Sequence, residues 1–395
     1  MGDLADLTRP AGDDDAVAGV PARLVAAPAS TEEASAVLAA AAAAGLAVVV
    51  RGGGSKLDWG MPPERLDLIL DTRRLAGVVE HAAGDLITVV RAGTPTDDLD
   101  LPGQQLALDR PVPGATVGGT VAVNTSGPRR VLYGTARDLL IGMTVVRPDG
   151  RVAHAGGKVV KNVAGYDLAK LFTGSYGTLG LITECAFRLH PRPAATAVVC
   201  APAPDPAAAG RLAAAVRDAQ VVPSAVEVDA PPGGPVEVAA LVEGSVDGVA
   251  ERAAVLHKVL GDQARDGVPE WWGTLPWRTG QVGIKLTAPL SRVPALLTEA
   301  RATGAAVTVR GSAGAGVLYA GLPADPPGDV ATVVERLRAA AVRAEGHVVV
   351  LTAPPAVRQL VDLWGPVGGL ALMRRVKDQF DPEHRFAPGR FVGGI

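Results

Sequence analysis

Apolar positions along this chain follow two rhythms, and the change between them falls at Pro191-Arg-Pro193. Ahead of it, a polar, Asp-rich lead runs to about residue 17. Ser30-Thr-Glu-Glu33 then forms a capping box before an Ala-rich helix that Gly45 should stop. Short apolar runs at 47–50, 68–71, 86–92, 139–147 and 179–183 read as strands, the fourth closed by the turn Pro148-Asp-Gly150. This half mixes strands and helices without a regular βαβ beat. Beyond the prolines the order becomes strand 197–201, helix 206–220, strand 225–229, strand 236–243 and helix 249–260. It is followed by strand 281–287, helix 293–303, strand 305–309, strand 316–322, helix 329–345 and strand 347–351. Two ferredoxin-like βαββαβ units side by side would produce that order. The linker 262–276, with Trp271, Trp272 and the following Trp277, reads either as a loop over a ligand or as aromatics packing the seam between the two units. From residue 370 an amphipathic helix starts, stops at Asp381-Pro382 and gives way to a tail that turns twice through proline and is expected to dock onto another domain.

Composition narrows the classes. With 395 residues, 48% of them apolar and 20% charged, the chain can fill two or more cores. A net charge of -3 and the lack of any Lys/Arg run or basic-aromatic motif set nucleic-acid binding aside. Cys185 and Cys200 are too few for a disulfide scaffold and lack a Cys-x-x-Cys spacing, so a reducing cytoplasm is the expected compartment. The start carries no signal-type apolar core, and the Ala-rich stretch 34–44 is too short to span a bilayer, so membrane contact would come through a partner.

Chemistry concentrates in three glycine-rich stretches. In Arg51-Gly-Gly-Gly-Ser-Lys56 a strand runs into Gly52, Gly53 and Gly54, where successive N–H groups can form a nest for a pyrophosphate beside Ser55 and Lys56. The second stretch, Pro113 to Gly127, offers small residues against which a flat ring or ribityl chain can lie, namely Gly118, Gly119 and Thr125, while Arg137 and Asp138 only brace the loop that follows. The third runs from Gly156 to Glu184 and sets glycines, Lys158, Lys161 and a Tyr ahead of an apolar strand. No Walker-type Gly-x-x-x-x-Gly-Lys-Ser/Thr occurs, and Gly311-Ser-Ala-Gly-Ala-Gly316 leads into another strand rather than a helix, which makes it a hairpin turn.

These stretches carry a resemblance. From about Ala16 to Pro193 the chain resembles the FAD-binding domain of the p-cresol methylhydroxylase type, in the vanillyl-alcohol oxidase superfamily, on Arg51-Gly-Gly-Gly-Ser55, on Pro113-Gly-Ala-Thr-Val-Gly-Gly-Thr120 with Asn124 to Gly127, and on Gly174-Ser-Tyr-Gly-Thr-Leu-Gly-Leu-Ile-Thr183. With Lys161-Asn-Val-Ala-Gly-Tyr-Asp-Leu168, Lys56-Leu-Asp-Trp-Gly60, Phe380-Asp-Pro382 and Ala387-Pro-Gly-Arg-Phe391, it is similar over nearly its whole length to the E-type FAD-binding subunits of bacterial glycolate oxidases. The resemblance implies an α+β fold: a two-subdomain FAD-binding domain at 16–193, a ferredoxin-like cap or substrate domain at 194–369, and a C-terminal helix and tail at 370–395 returning to the FAD domain. It implies FAD contacts from Arg51, Gly52, Gly53, Gly54, Ser55, Lys56, Pro113, Gly114, Thr116, Gly118, Gly119, Asn124, Thr125, Gly127, Lys161, Gly165, Tyr166, Gly177, Gly180 and Ile182. Ser55 stands where covalently flavinylated relatives place a histidine, so the implied FAD is non-covalent. Catalytic D-type relatives have Glu at the place of Tyr176 and a metal-binding pair of histidines, whereas the six histidines here are scattered without ligand spacing, so no metal is expected.

Oxidising a 2-hydroxy acid at a flavin requires a base for the hydroxyl proton and usually a cation or metal for the carboxylate. Arg278, Lys285, Tyr166, His347 and Arg374 could each serve, and sequence singles out none as catalytic. The resemblance therefore implies an FAD-carrying subunit of a glycolate oxidase-like complex, working with a catalytic D-type flavoprotein subunit and an iron-sulfur subunit. The alternatives are a self-sufficient FAD oxidoreductase on another small substrate and a subunit whose flavin has no redox role.

Overall fold

The computed structural model describes residues 4–158 and 166–395. They form two compact units. The first runs through Thr125 and takes in Thr135–Pro191 and Val367–Ile395, and the second consists of Ser126–Gly134 and Arg192–Pro366. Residues 126–134, inside the continuous stretch 16–193 anticipated for one domain, thus count with the second unit.

The first unit holds two larger sheets, besides two two-stranded ribbons. Strands β1 (Leu24–Ala26), β2 (Val48–Arg51) and β3 (Leu68–Asp71) are parallel in the order β1-β3-β2. Helix α1 (Thr31–Ala43) has Ser30 as its N-cap, whose hydroxyl accepts from the Glu33 N–H at 3.1 Å. Its apolar stripe, Ala34, Val37, Leu38 and Ala41, follows helical spacing and is buried with Val48, Leu68, Leu70 and Phe386. The second sheet is antiparallel and contains β4 (Val78–Ala82), β5 (Ile87–Arg91), β6 (Leu140–Val146), β7 (Val152–Gly156) and β8 (Leu181–Arg188) in the order β7-β6-β8-β5-β4. Between β5 and β6 lies α2 (Val117–Val123), a helix that the sequence does not announce because two glycines and three valines are poor helix formers. It forms because the Thr116 hydroxyl caps it at Gly119 N–H, and Asn124, at φ 51°, ends it in the left-handed region.

The second unit is one eight-stranded antiparallel sheet made of β9 (Ala195–Ala203), β10 (Ala225–Ala230), β11 (Val236–Gly244), β12 (Arg265–Asp266), β13 (Val282–Thr287), β14 (Thr308–Ser312), β15 (Val317–Leu322) and β16 (His347–Thr352). The order is β12-β9-β11-β10-β14-β15-β13-β16. Each half is a βαββαβ unit, and the halves join where β10 pairs with β14, in agreement with the repeated rhythm of the sequence. Helices α3 (Pro206–Asp218), α4 (Val246–Leu260), α5 (Val293–Ala302) and α6 (Pro327–Arg343) are the crossovers. The strand expected at 305–309 lies a few residues later, at β14, and β12 was hidden in the linker, because two polar residues carry no periodicity. Trp271 and Trp272 pack on Val198, Cys200, Ala225, Ala239 and Leu241 of the first half, while Trp277 lies against Gly283 and Tyr319 of the second. The aromatics therefore pack on the sheet, two on its first half and one on its second.

Helix α7 (Leu370–Phe380) belongs to the first unit, and the tail after it continues the parallel sheet. Phe386 forms a parallel bridge to Val48, with the Val48 N–H donating to Arg385 O and the Ala387 N–H to Val48 O, each at 2.8 Å. Lys377 of α7 is fully buried and donates to Asp381 Oδ2 at 2.7 Å and to the carbonyls of Thr178 and Phe386 at 2.8 Å. Its ammonium is satisfied on every side, as a buried charge must be.

Candidate functional site: a glycine-lined cavity in the first unit

Where β2 ends, the chain turns through Gly52-Gly-Gly54, with Gly54 at φ 77°. A Cβ on Gly53 would lie 1.9 Å from the Gly114 carbonyl oxygen, and one on Gly52 would lie 2.3 Å from Thr116 Oγ1. The first glycine loop and the second are therefore in backbone contact, which only glycine permits. Gly118 is constrained likewise: its N–H donates to Ala92 O at 2.7 Å, and a Cβ there would meet Ala92 Cβ at 2.7 Å. The third motif hooks onto α2 through Gly174 N–H to Val121 O, 3.0 Å, and Tyr176 N–H to Ala122 O, 2.8 Å. Tyr176 and Gly177 sit at φ 57° and 73°.

Together the three motifs wall a cleft with about 790 Å³ of empty space, part of it open to solvent. Of the residues expected to hold a cofactor, Gly52, Gly53, Gly54, Ser55, Lys56, Thr116, Gly118, Gly119, Gly177, Gly180 and Ile182 line it. Sequence separations of more than a hundred residues are thereby closed into one site. The others lie elsewhere. Arg51 turns into an ion network, with Nη1 2.9 Å from Asp15 Oδ1 and Nη2 2.9 Å from Asp71 Oδ2, while Asp71 also pairs with Arg73 at 2.6 Å. That network is the strut under the loop. Pro113, which is exposed, and Gly114 do not line the cleft, and Gly114 meets the loop through the carbonyl that faces Gly53. Asn124 is the α2 cap, its Oδ1 accepting from Arg137 N–H at 3.3 Å, and Thr125 is buried beneath it with its N–H on Thr120 O. Gly127 belongs to the second unit and accepts from Arg130. Tyr166 is 93% exposed. Lys161 and Gly165 fall outside the described residues.

Tyr176, Arg390, Thr72, Ala122 and Val123 also line the cleft and were not anticipated. Tyr176 sits inside a glycine motif and could have been found there. Arg390 arrives from the tail, and nothing in its local sequence points to a site some 335 residues away.

Electrostatics favour an anion. Lys56 is half-buried, and burial pushes its ammonium pKa down to about 8. Arg390 is the second cation, and the described lining residues include no carboxylate. Two cations, a glycine loop and apolar walls from Val49, Val50 and Ala92 suit a ligand with a pyrophosphate and a flat ring. FAD fits that description.

None of the side chains considered for catalysis is among the residues that line this cleft. Arg374 donates to Gly393 O at 3.1 Å, and Arg278 is exposed. His347 pairs across the sheet with Thr287, and Lys285 with Tyr319, whose hydroxyl accepts from Arg130 Nη2 at 3.3 Å. Burial pushes the Tyr319 phenol up, but the Arg130 and Lys285 cations outweigh it and hold the phenol below its ordinary value. Among the described residues, no group of three or more His, Cys, Asp or Glu is placed to hold a metal ion. Cys185 and Cys200 are buried free thiols.

Comparison with known proteins gives this geometry its context. Residues 22–156 match the FAD binding domain family, and residues 359–391 match the C-terminal domain of FAD linked oxidases. Glycolate oxidase subunit GlcE of Escherichia coli is 40% identical over 152 residues, 37% of this chain and 43% of that protein. Glycolate oxidase subunit GlcD of Bacillus subtilis is 33% identical over 208 residues, 51% of this chain and 44% of that protein. A D-lactate dehydrogenase of Archaeoglobus fulgidus is 37% identical over 158 residues, 39% of this chain and 35% of its own length. The chain thus spans less than half the length of each of these relatives. Among solved structures, alkyldihydroxyacetonephosphate synthase superposes with a TM-score of 0.69 at 18% identity, over 93% of this chain and 76% of that one. Chitooligosaccharide oxidase superposes at 0.67 and 17% identity, over 97% and 96%. At those identities the structures attest the fold alone. Residues 22–156 are thus similar to the FAD binding domain family and residues 359–391 to the C-terminal domain of FAD linked oxidases, and the cofactor these matches support is FAD.

Proposed function

We propose that this chain is the FAD-carrying subunit of a complex that oxidises a small 2-hydroxy acid, glycolate to glyoxylate being the first candidate. In this reading it supports a catalytic flavoprotein subunit, or relays electrons from it toward an iron-sulfur subunit. The observation that carries the proposal is the cleft itself, in which three glycine motifs and Lys56 form an anion-binding wall opposite apolar residues. Support for the substrate class comes from relatives named as glycolate oxidase subunits and D-lactate dehydrogenase.

The residue roles follow from chemistry. Gly52, Gly53, Gly54 and Ser55 present backbone and hydroxyl to the pyrophosphate, Lys56 neutralises it, and Gly118, Gly119, Gly177 and Gly180 let the rest of the cofactor lie against backbone. Bound FAD supplies a two-electron acceptor. The loop offers Ser55 in place of a covalent nucleophile, so FAD is held non-covalently. Residues 192–366 take the role of the cap domain. No helix of the described residues is long and apolar enough to cross a membrane; in this reading the chain is cytoplasmic and meets any membrane through its partners.

The purified chain is expected to be yellow and to release its FAD on acid precipitation; flavin remaining in the pellet would show a covalent bond. Anaerobic titration with glycolate and D-lactate should reduce the flavin poorly in the chain alone and readily once a D-type flavoprotein subunit is added. Bleaching of the lone chain at turnover rates would replace this proposal with a self-sufficient oxidoreductase.

Lys56 gives a pH dependence. Its pKa near 8 in the free protein is raised again by a bound pyrophosphate, so binding above pH 8 must draw a proton from solution. FAD affinity is therefore expected to be flat below pH 8 and to fall above it, by at most about tenfold per pH unit. Lys56→Arg, which stays charged, should flatten that limb of the profile. A wild-type profile level from pH 7 to 9.5 would remove Lys56 from the anion site.

A further inference from the structure

Arg390 is almost wholly buried, lines the cleft beside the glycine loop, and donates from Nη2 to Leu57 O at 2.9 Å and Trp59 O at 2.8 Å. It reaches that place only because the tail is docked. The Met61 N–H donates to Arg390 O at 3.1 Å, the Glu64 N–H to Pro388 O at 2.9 Å, and the Ala387 N–H to Val48 O at 2.8 Å. The other end of the tail is held by Lys377, whose ammonium joins Thr178 O to Asp381 and Phe386 O, while Asp381 Oδ2 also accepts from the Phe386 N–H at 2.7 Å. Thr178 lies one residue beyond Gly177, a lining residue of the third motif, and the Tyr176 and Phe391 rings are 5.3 Å apart. One short segment therefore touches the cleft wall at the first glycine motif and at the third.

We propose that occupancy of the cleft and docking of residues 381–391 are coupled, with Arg390 as the cation that meets the cofactor's pyrophosphate and transmits its binding to the tail. The inference rests on the assignment of this cleft to FAD. With the cleft unfilled, Arg390 and Lys56 line one cavity and their charges repel across it, which opposes docking of the segment that carries Arg390. A dianion between them reverses the sign of that interaction. By reciprocity, the docked tail then tightens FAD to the degree that FAD tightens the tail.

Hydrogen–deuterium exchange on the full chain, stripped of flavin and then reloaded with FAD, tests this. FAD is expected to slow exchange across residues 381–391 by about tenfold or more, and Arg390→Met is expected to weaken FAD binding by a similar factor, since the two effects share one coupling. Arg390→Lys should restore part of the affinity without the paired bonds to Leu57 and Trp59. Far-UV circular dichroism of the flavin-free variants should match that of the flavin-free parent, with the melting temperature lowered only by the lost bonds to Leu57 and Trp59, which separates lost coupling from lost folding. Equal exchange with and without FAD, or parental affinity in Arg390→Met, overturns the coupling. If Arg390→Met alone keeps its flavin, the cleft remains the FAD site; if Gly53→Val keeps it as well, the cleft is misassigned and this inference falls with it.

Discussion

Gly53→Val is expected to yield a folded protein that purifies with less than about a tenth of the parental flavin. The reason lies one layer behind the ligand. A Cβ at this position would stand 1.9 Å from the Gly114 carbonyl oxygen, far inside any tolerable contact, and that neighbour is backbone and cannot rotate away. The two loops must separate, and the cleft between them loses its shape. Val adds a second constraint, because its branched Cβ restricts the local backbone of a turn that passes at once into the φ of 77° at Gly54. Gly53 itself is exposed, so the first unit's cores are untouched and its stability should change little. Absorbance near 450 nm per mole of protein reads the result directly, and undiminished flavin would mean that the pyrophosphate lies elsewhere.

Arg51→Met should have the largest effect on stability. Arg51 is 12% exposed and bridges Asp15 and Asp71, which are 8% and 5% exposed, so removing the guanidinium leaves two buried carboxylates facing each other. Breaking a buried pair from one side costs about 3–5 kcal/mol. Arg73 and Arg9, which pair with the same two acids from the surface, offset part of it. The pH sign follows from Asp15: hydrogen bonds from Arg9 and Gly12, with further help from Arg51, hold its carboxyl well below the ordinary carboxylate range. The stabilisation is present above the unfolded pKa near 4 and is lost as pH falls toward the folded value. Denaturant melts of Arg51→Met and the parent should therefore differ most at neutral pH, and the difference should shrink progressively as the pH falls below about 4. A difference that stays constant across that range would show that packing of the arginine stem, not its charge, is what matters.

How much of this could be read in the sequence depends on the range of the forces involved. The second unit was nearly all legible: its strands alternate or run apolar, its helices show period 3.6, and Asp205, whose side chain caps α3 by accepting from Ala208 N–H at 2.7 Å, marks a start in plain letters. The glycine motifs were legible as close-approach backbone, and the structure brings residues of all three to one cleft. Less legible was α2, whose helical state depends on a threonine cap and on carbonyls of Ala92 and Thr94 supplied by another part of the chain. Arg51 looked like an anion ligand because it precedes the loop, yet whether it serves a phosphate or two aspartates depends on Asp15 and Asp71, which the fold brings to it. The crossing of residues 126–134 into the second unit left no local trace, although Val131 lies beside Gly314 there, and Arg129 pairs with Glu243.

The path of the chain sets an order of events during synthesis. It passes from one unit to the other at residues 125/126, 134/135, 191/192 and 366/367, so neither unit is a contiguous piece of the gene. Val48 lies on a strand whose outer neighbour is Phe386, and Thr178 O waits for Lys377. A ribosome elongating at about 5–20 residues per second has therefore made the glycine loop many seconds before the segment that completes its edge emerges. Through that interval β2 is an open edge strand, the kind of surface that recruits chaperones or pairs with the wrong neighbour. The second unit, whose strands all lie between residues 195 and 352, can finish first. Nascent chains would thus carry a completed second unit tethered to a first unit whose parallel sheet still has an open edge.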